Sequence, residues 1–141
     1  MKRILAFDVG DRRIGVAVSD ALGITAQPVE TYHRKGGAEK DAEYLLALAK
    51  RYAPCTLLFG LPRNMDGTYG EQAEKVKKFA QRLIDRWDGD YAFYDERLTT
   101  MAAQRVLIDA DISREKRKQV IDKMAAVVIL QGYMESHRDL L

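Results

Sequence analysis

Apolar residues in the first third of the chain fall into short runs separated by polar turns. Ile4–Val9 and Ile14–Ser19 are aliphatic and β-branched, and a polar link of residues 10–13 (GDRR) joins them, which predicts the two strands of a hairpin. A third strand is predicted over Gln27–Tyr32, after a turn region at Asp20–Thr25. Consecutive strands joined by short links favour antiparallel pairing.

The remainder of the chain alternates between helical and strand patterns. The continuous apolar run Cys55–Leu61 is typical of a strand buried on both faces, and Tyr91–Tyr94 predicts a short fifth strand. Thr68 and Glu71 have the spacing of a capping box, which predicts that a helix starts there. Apolar residues at helical spacing predict four helices, over Ala38–Arg51, from Thr68 to about Trp87, from Thr99 or Thr100 to about Ala110, and from roughly Arg117 to Arg138.

The predicted order of elements is therefore β-β-β-α-β-α-β-α-α. This order predicts an α/β protein with a five-stranded mixed sheet, in which three antiparallel strands are followed by parallel crossovers and helices flank the sheet. It is similar to the order of the ribonuclease H-like fold. A length of 141 residues is typical of one domain, so we expect a single domain over residues 1–141.

Composition excludes several classes of protein. No apolar run approaches the ~20 residues of a membrane-spanning helix, and the apolar start of the chain stops at Asp8, which is too short for a secretion signal. Cys55 is the only cysteine, which excludes an internal disulfide and a thiolate zinc cluster. We therefore expect a protein of the reducing cytoplasm that has no membrane partner.

Charge is informative through its distribution. The formal net charge is only +2, but five basic and two acidic residues lie between Arg114 and Lys123, a local surplus larger than that of the whole chain. Such a cluster is either a solvated helix start or a surface that contacts phosphates.

Three carboxylate positions stand at the ends of predicted elements. Asp8 interrupts the apolar first strand, Asp95 and Glu96 follow the fifth strand, and Asp122 precedes the most apolar part of the last helix. Strand alternation points Asp95 and Glu96 to opposite faces, and the pattern does not choose between them. A salt bridge or a turn cap explains any one carboxylate, but three without a nearby histidine or cysteine indicate a site for Mg²⁺ or Mn²⁺. Two such ions about 3.5–4 Å apart catalyse phosphodiester hydrolysis.

Four segments resemble the motifs of the YqgF family, whose members are described as pre-16S rRNA nucleases or Holliday junction resolvase-like proteins. The segments are residues 7–10 with 13–20 (FDVG and RIGVAVSD), 60–62 with 64–68 (GLP and NMDGT), 95–100 (DERLTT) and 118–131 (KQVIDKMAAVVILQ). They occur in the family's order and span nearly the whole chain, so that together they are specific.

The resemblance implies a ribonuclease H-like fold and a divalent-metal-dependent endonuclease, with Asp8, Glu96 and Asp122 as catalytic residues and ligands of Mg²⁺ or Mn²⁺. The substrate it most often implies is the 5′ end of pre-16S rRNA, in ribosome biogenesis. The alternatives are a Holliday junction resolvase of DNA recombination and repair and a non-catalytic nucleic-acid-binding module. A sugar-kinase or actin-like phosphate-binding domain also carries Asp8-x-Gly10 at a first hairpin, but it needs a second domain.

Metal-binding carboxylates repel a polyanion, so basic residues near them are expected to bind the nucleic acid. The candidates are Arg12, Arg13, Asn64, Arg97, Lys116, Arg117 and Lys118, most of which lie a few residues from a proposed ligand. We prefer them to scattered lysines such as Lys75 and Lys78. We further expect the first and fifth strands to be close in the sheet and the three carboxylates to converge.

Overall fold

A computed structural model of the chain describes residues 2–63, 66–96 and 114–136, with the side chains of Glu96 and of residues 114–123 outside the description. Its elements are β1 (Arg3–Val9), β2 (Arg13–Ser19), β3 (Ala26–His33), α1 (Ala38–Arg51), β4 (Cys55–Pro62), α2 (Glu71–Ile84), β5 (Tyr91–Glu96) and α3 (Arg114–Ser136). No helix among these residues is both long and apolar enough to cross a membrane.

The strands form one sheet in the order β3-β2-β1-β4-β5. β1 pairs antiparallel with β2, and β2 antiparallel with β3, while β1 with β4 and β4 with β5 are parallel. The mixed five-stranded sheet predicted from the element order is therefore confirmed. β1 lies in the centre, because the hairpin adds strands to one side of it and the crossovers add strands to the other.

Helices cover the two faces of the sheet differently. On one face, which we call the α1/α2 face, large side chains such as Phe7, Phe59 and Leu57 pack against Leu45 and Phe79 of the helices. On the opposite face, the α3 face, the core cluster formed by described residues consists of Ala6, Ala17, Leu58, Ala126, Ile129, Leu130 and Met134. The two-residue period of β1 thus separates the odd-numbered Leu5, Phe7 and Val9 from the even-numbered Ala6.

Two predicted helix starts differ from the structure. The prediction that a capping box starts the helix at Thr68 is wrong, because α2 begins at Glu71 after an N-cap at Gly70. Thr68 instead donates from its backbone N–H (3.0 Å) and from its hydroxyl (2.6 Å) to Asp66 Oδ1, a local turn that competes with helix capping. The last helix begins at Arg114, three residues before its predicted start. The helix predicted from Thr99 or Thr100 to about Ala110 lies outside the described residues.

Candidate active site

Asp8 is a partly buried carboxylate in the central strand of the sheet. It follows Ala6 by two residues, so strand alternation places it on the α3 face, beyond the point where Ala6 packs against that helix. Only Val9 follows it before β1 ends. Asp8 therefore stands near the carboxyl end of a strand that has parallel neighbours on one side, the edge at which ligands of open α/β sheets bind.

Both strand neighbours of Asp8 at this level are glycines. Gly15 of β2 pairs directly with Asp8, and Gly60 of β4 follows Phe59, the partner of Phe7. Neither glycine has the positive φ that is found at Gly23, Gly36 and Gly67, so backbone conformation does not require them. Their effect is that neither adjacent strand contributes a side chain next to the Asp8 carboxylate.

The turn that follows Asp8 needs glycine for a different reason. Gly10 donates its backbone N–H to the carbonyl oxygen of Arg13 at 2.9 Å. A Cβ at position 10 would lie 2.8 Å from that same oxygen, closer than real Cβ atoms approach. The hairpin tip that carries Arg12 and Arg13 is therefore tied down directly beside the candidate site.

Asp95 belongs to the opposite face of the sheet. Its carboxylate accepts a hydrogen bond from the Tyr69 hydroxyl (2.7 Å) and one from Arg63 Nη1 (3.1 Å). The hydrogen bond to Asp95 raises the pKa of the Tyr69 phenol above its ordinary value. Phe93, two residues before Asp95, lies with its ring 5.7 Å from that of Phe59 in the α1/α2 core. The contacts of Asp95 thus lie on the α1/α2 face of the sheet, whereas Asp8 lies on the α3 face.

Tyr94 marks the other face of β5. Its ring meets Tyr133 of α3 edge to face at 6.2 Å between centroids. Gly132 allows this contact, because a Cβ there would lie 2.7 Å from the Tyr94 hydroxyl oxygen. Tyr94 therefore packs between β5 and α3. Because residues two apart on a strand lie on the same face of the sheet, position 96 is also on the α3 face.

The three predicted ligands are described to different extents. Glu96 is the last residue of β5, opposite Pro62 of β4, and Asp122 lies within α3, but both side chains are outside the described part. No group of three metal-ligating side chains is found among the side chains that are described. β1 and β5 are not neighbours, since β4 lies between them, and two strand spacings amount to about 9.5 Å. Convergence of the three carboxylates stays a prediction.

The predicted nucleic-acid contacts fall into three groups. Arg12 and Arg13 lie at the hairpin tip, where Arg12 is exposed. Lys116, Arg117 and Lys118 lie at the start of α3, with their side chains outside the description, and Asn64 and Arg97 lie outside the described residues altogether.

Sequence reasoning missed a cleft that joins the hairpin tip to α1 and α2. Its volume is about 870 Å³, and Arg12, Arg13, Lys75, Lys78 and Arg82 are among its lining residues. Lys75, Lys78 and Arg82 are spaced i, i+3 and i+7 along α2, which places them on one face of that helix. That spacing is visible in the sequence and contradicts the description of these lysines as scattered.

Comparison with known proteins bears on both fold and family. A family model described as "RuvX: Holliday junction resolvase" matches residues 2–136. A protein of Clostridium novyi named "Putative pre-16S rRNA nuclease" is 52% identical over 134 residues, covering 95% of this chain and 98% of its own length. A protein of Halalkalibacterium halodurans with the same name is also 52% identical, covering 94% of this chain and 96% of its own.

Solved structures resemble the fold at low sequence identity. RuvC of Thermus thermophilus, in complex with a Holliday junction substrate, matches with a TM-score of 0.63 at 12% identity, over 99% of this chain and 97% of that one. A second T. thermophilus RuvC structure matches with a TM-score of 0.54 at 14% identity, over 97% and 96% of the two chains. The ribonuclease H-like fold predicted from the element order is thereby confirmed.

Proposed function

The chain belongs to the RuvX family, which is the YqgF family of the sequence motifs, and from that premise we propose that it is a divalent-metal-dependent endonuclease. It hydrolyses phosphodiester bonds of nucleic acid, and its substrate is precursor 16S rRNA, which the names of its 52% identical relatives give. Within that RNA, the 5′ end implied by the sequence motifs is the proposed site of cleavage. Such a substrate places its action in the cytoplasm.

The observation that carries this proposal is the setting of Asp8. Asp8 is a half-buried carboxylate that follows four apolar residues of β1. Here it stands near the carboxyl end of the central strand, with Gly15 and Gly60 on either side. A carboxylate whose neighbours on both adjacent strands contribute no side chain suits a hard cation and an incoming phosphate.

Glu96 and Asp122 complete the proposed ligand set. Glu96 is favoured over Asp95 because Asp95 is hydrogen-bonded to Tyr69 and Arg63 on the other face. Asp122 precedes Ala126 by one helical turn, and Ala126 packs against the sheet in the α3 core. All three ligands are oxygen donors, the set that Mg²⁺ and Mn²⁺ prefer. When bound, these ions activate a water for attack and stabilise the charge on the leaving oxygen.

The chain's own residues supply substrate binding. We assign Arg12 and Arg13 at the hairpin tip, together with Asn64, Arg97, Lys116, Arg117 and Lys118, to contacts with the nucleic acid. Cations beside an acidic site offset its repulsion of phosphate, and they do so regardless of base sequence.

A Holliday junction resolvase is the second candidate function. It is favoured by the family's description as a Holliday junction resolvase and by the fold shared with a RuvC bound to a junction. The two functions use the same metal chemistry and differ in the shape of the substrate. A non-catalytic binding module is the third possibility, which differs from both in showing no cleavage.

The test is cleavage of a panel of substrates by the full chain with Mg²⁺ or Mn²⁺. The panel contains precursor 16S rRNA ends, a four-way DNA junction and unstructured single strands. We expect cleavage of the rRNA precursor, and we expect Asp8→Asn to lower it at least ~100-fold, because losing a metal ligand costs at least as much as losing a residue that hydrogen-bonds to a ligand.

Two outcomes would contradict the proposal. Preferential cleavage of the four-way junction would move the assignment to the resolvase. Binding of the panel without metal-dependent cleavage, or an Asp8→Asn variant as active as its parent, would leave a binding module. Circular dichroism of the variant checks that the fold is retained.

A further inference from the structure

The cleft between the hairpin tip, α1 and α2, which we call the α1/α2 cleft, is rich in basic groups. Among the described residues, six arginine and lysine side chains line it, namely Arg12, Arg13, Arg34, Lys75, Lys78 and Arg82. The acidic lining residues are Asp11 and Asp41. A surplus of this size in one concave surface, on a chain whose net charge is only +2, focuses positive potential there.

Two of the six cations hold the cleft together. Arg34 Nε donates to the buried Asp41 carboxylate at 2.8 Å, Arg34 Nη1 donates to the Gly10 carbonyl at 2.9 Å, and the guanidinium lies 4.9 Å from the centre of the Phe79 ring. Arg82 pairs with Glu39 at 3.0 Å, which joins α2 to α1. These contacts hold the hairpin tip against both helices, so the floor of the cleft is built in advance.

Three of the remaining four cations, Arg12, Lys75 and Lys78, face solvent. Lys75 lies 3.6 Å from the Asp11 carboxylate, but both side chains are more than half exposed, so water and salt screen the pair. Lys78 and Arg12 are exposed and form no ion pair with another described residue. Arg12, Lys75 and Lys78 can therefore donate to an anionic ligand without breaking a buried interaction.

The cleft begins where the candidate active site ends. Val9 and Gly10 line it, and they directly follow Asp8 in the chain. Asp8 belongs to the α3 face, whereas Phe79 and Asp41 of the cleft lie on the α1/α2 side. A ligand that reaches both must therefore turn around the carboxyl end of β1. A flexible single strand can make this turn within a few nucleotides, whereas a duplex is stiff on this scale.

We propose that the α1/α2 cleft binds the phosphate backbone of a single-stranded segment that flanks the scissile bond. The proposal rests on the nuclease function proposed above and names where the substrate lies beyond the cut. The Phe79 ring in the cleft is covered by Arg34 and is not available to stack on a base. Recognition here is consequently electrostatic and independent of base sequence.

The test uses RNA stem-loops of one sequence that carry 5′ or 3′ single-stranded extensions of increasing length, starting from none. Binding to the full chain is measured by fluorescence anisotropy in EDTA, so that affinity is read without cleavage. For the parent, affinity should rise with extension length on one side of the stem and then level off. Lys75→Ala/Lys78→Ala should bind the longest extension about tenfold more weakly and the blunt stem-loop as the parent does.

Salt dependence supplies a second readout. Each phosphate contact to a single strand adds about 0.7 to the slope of log affinity against log salt, so loss of two contacts lowers the slope by about 1.4. Lys75→Arg/Lys78→Arg keeps both charges and should retain the slope. The matched control is Lys40→Ala/Lys50→Ala, which removes two exposed lysines of α1 that do not line the cleft.

Each outcome decides the proposal. Equal affinity of the cleft variant and the control at every extension length overturns it, and so does an equal loss with the blunt stem-loop, which would mean that the lysines contact the duplex. If the parent shows the length-dependent binding but cleaves nothing, the nuclease function fails and the cleft stands. If the parent cleaves but the cleft variant binds like the control, the reverse holds.

Discussion

The two faces of the sheet are packed with side chains of different size. On the α1/α2 face, Phe7 and Phe59 stack at 5.4 Å between centroids, and buried leucines and valines surround them. On the α3 face, the described residues of the sheet contribute Ala6, Ala17 and Leu58, and the helix contributes Ala126, Ile129, Leu130 and Met134. The sheet therefore presents large side chains to α1 and α2, whereas on the α3 face two of its three fully buried described hydrophobic residues are alanines.

This difference separates stability from chemistry. The α1/α2 face removes the most apolar area from water, so it should supply most of the hydrophobic stabilisation. The α3 face continues into Gly15 and Gly60 on either side of Asp8, so the two adjacent strands contribute no side chain next to the carboxylate. Substitutions in the α1/α2 core should consequently reduce mainly the stability of the protein, whereas substitutions of the carboxylates on the α3 face should reduce mainly its activity.

We expect the largest effect from a substitution that leaves a cavity in the core of the α1/α2 face. Phe59→Ala removes a fully buried ring that lies between Phe7 and Phe93, and it should lower the free energy of unfolding by about 3–5 kcal/mol. Urea unfolding measures this. Phe93→Ala is the control, because Phe93 is 38% exposed and should lose less than half as much. Equal losses would mean that the two rings share one environment.

The next effect separates two adjacent carboxylates. Glu96→Gln should lower kcat/KM for metal-dependent cleavage at least ~100-fold, because it removes a proposed ligand on the α3 side. Asp95→Asn makes the same change of charge one residue earlier, where the carboxylate is bonded to Tyr69 and Arg63, and it should keep most of the activity. If Asp95→Asn is the inactive variant, the proposed ligand assignment at this strand end is wrong.

A larger side chain in the core of the α3 face should lower the free energy of unfolding less than a cavity in the core of the α1/α2 face does. Ala126→Leu inserts three carbons where a fully buried alanine meets the sheet, and it should destabilise the protein by about 1–3 kcal/mol. Met124→Leu on the same helix is the control, since Met124 is 37% exposed and has room to adjust. Thermal melts compare the two, and an Ala126→Leu variant as stable as its parent would show that α3 does not pack tightly there.

The smallest effect is a pH dependence of the protein's stability that arises from Cys55 in the core of the α1/α2 face. Burial raises the pKa of the Cys55 thiol from an ordinary value of 9.0 to about 11. Between these values the unfolded chain ionises while the folded chain does not, so the stability present below pH 9 declines as the pH rises toward 11. Unfolding curves from pH 8 to 11 should show a steeper decline for the parent than for Cys55→Ala. Parallel curves would show that the thiol titrates alike in both states.

The periodicity of the chain was enough for most of the fold. Predicted strands and helices match the structure at α1, β4 and the first hairpin, because each has a strong two-residue or helical pattern of apolar residues. The start of α2 was missed because Thr68 bonds to Asp66 instead of capping the helix. That choice depends on two side chains whose competition the capping-box spacing does not express.

The sequence by itself determined that Asp8 is a carboxylate out of place in an apolar strand, and its motifs determined the family. Only the tertiary structure decided what surrounds it. Strand pairing set Gly15 and Gly60 beside Asp8, packing tied Asp95 to Tyr69 on the opposite face, and α2 brought Lys75 and Lys78 to the hairpin tip. The physical reason is that alternation and helical spacing report which face a residue occupies, whereas neighbours across strands and helices follow from long-range pairing that no local pattern contains.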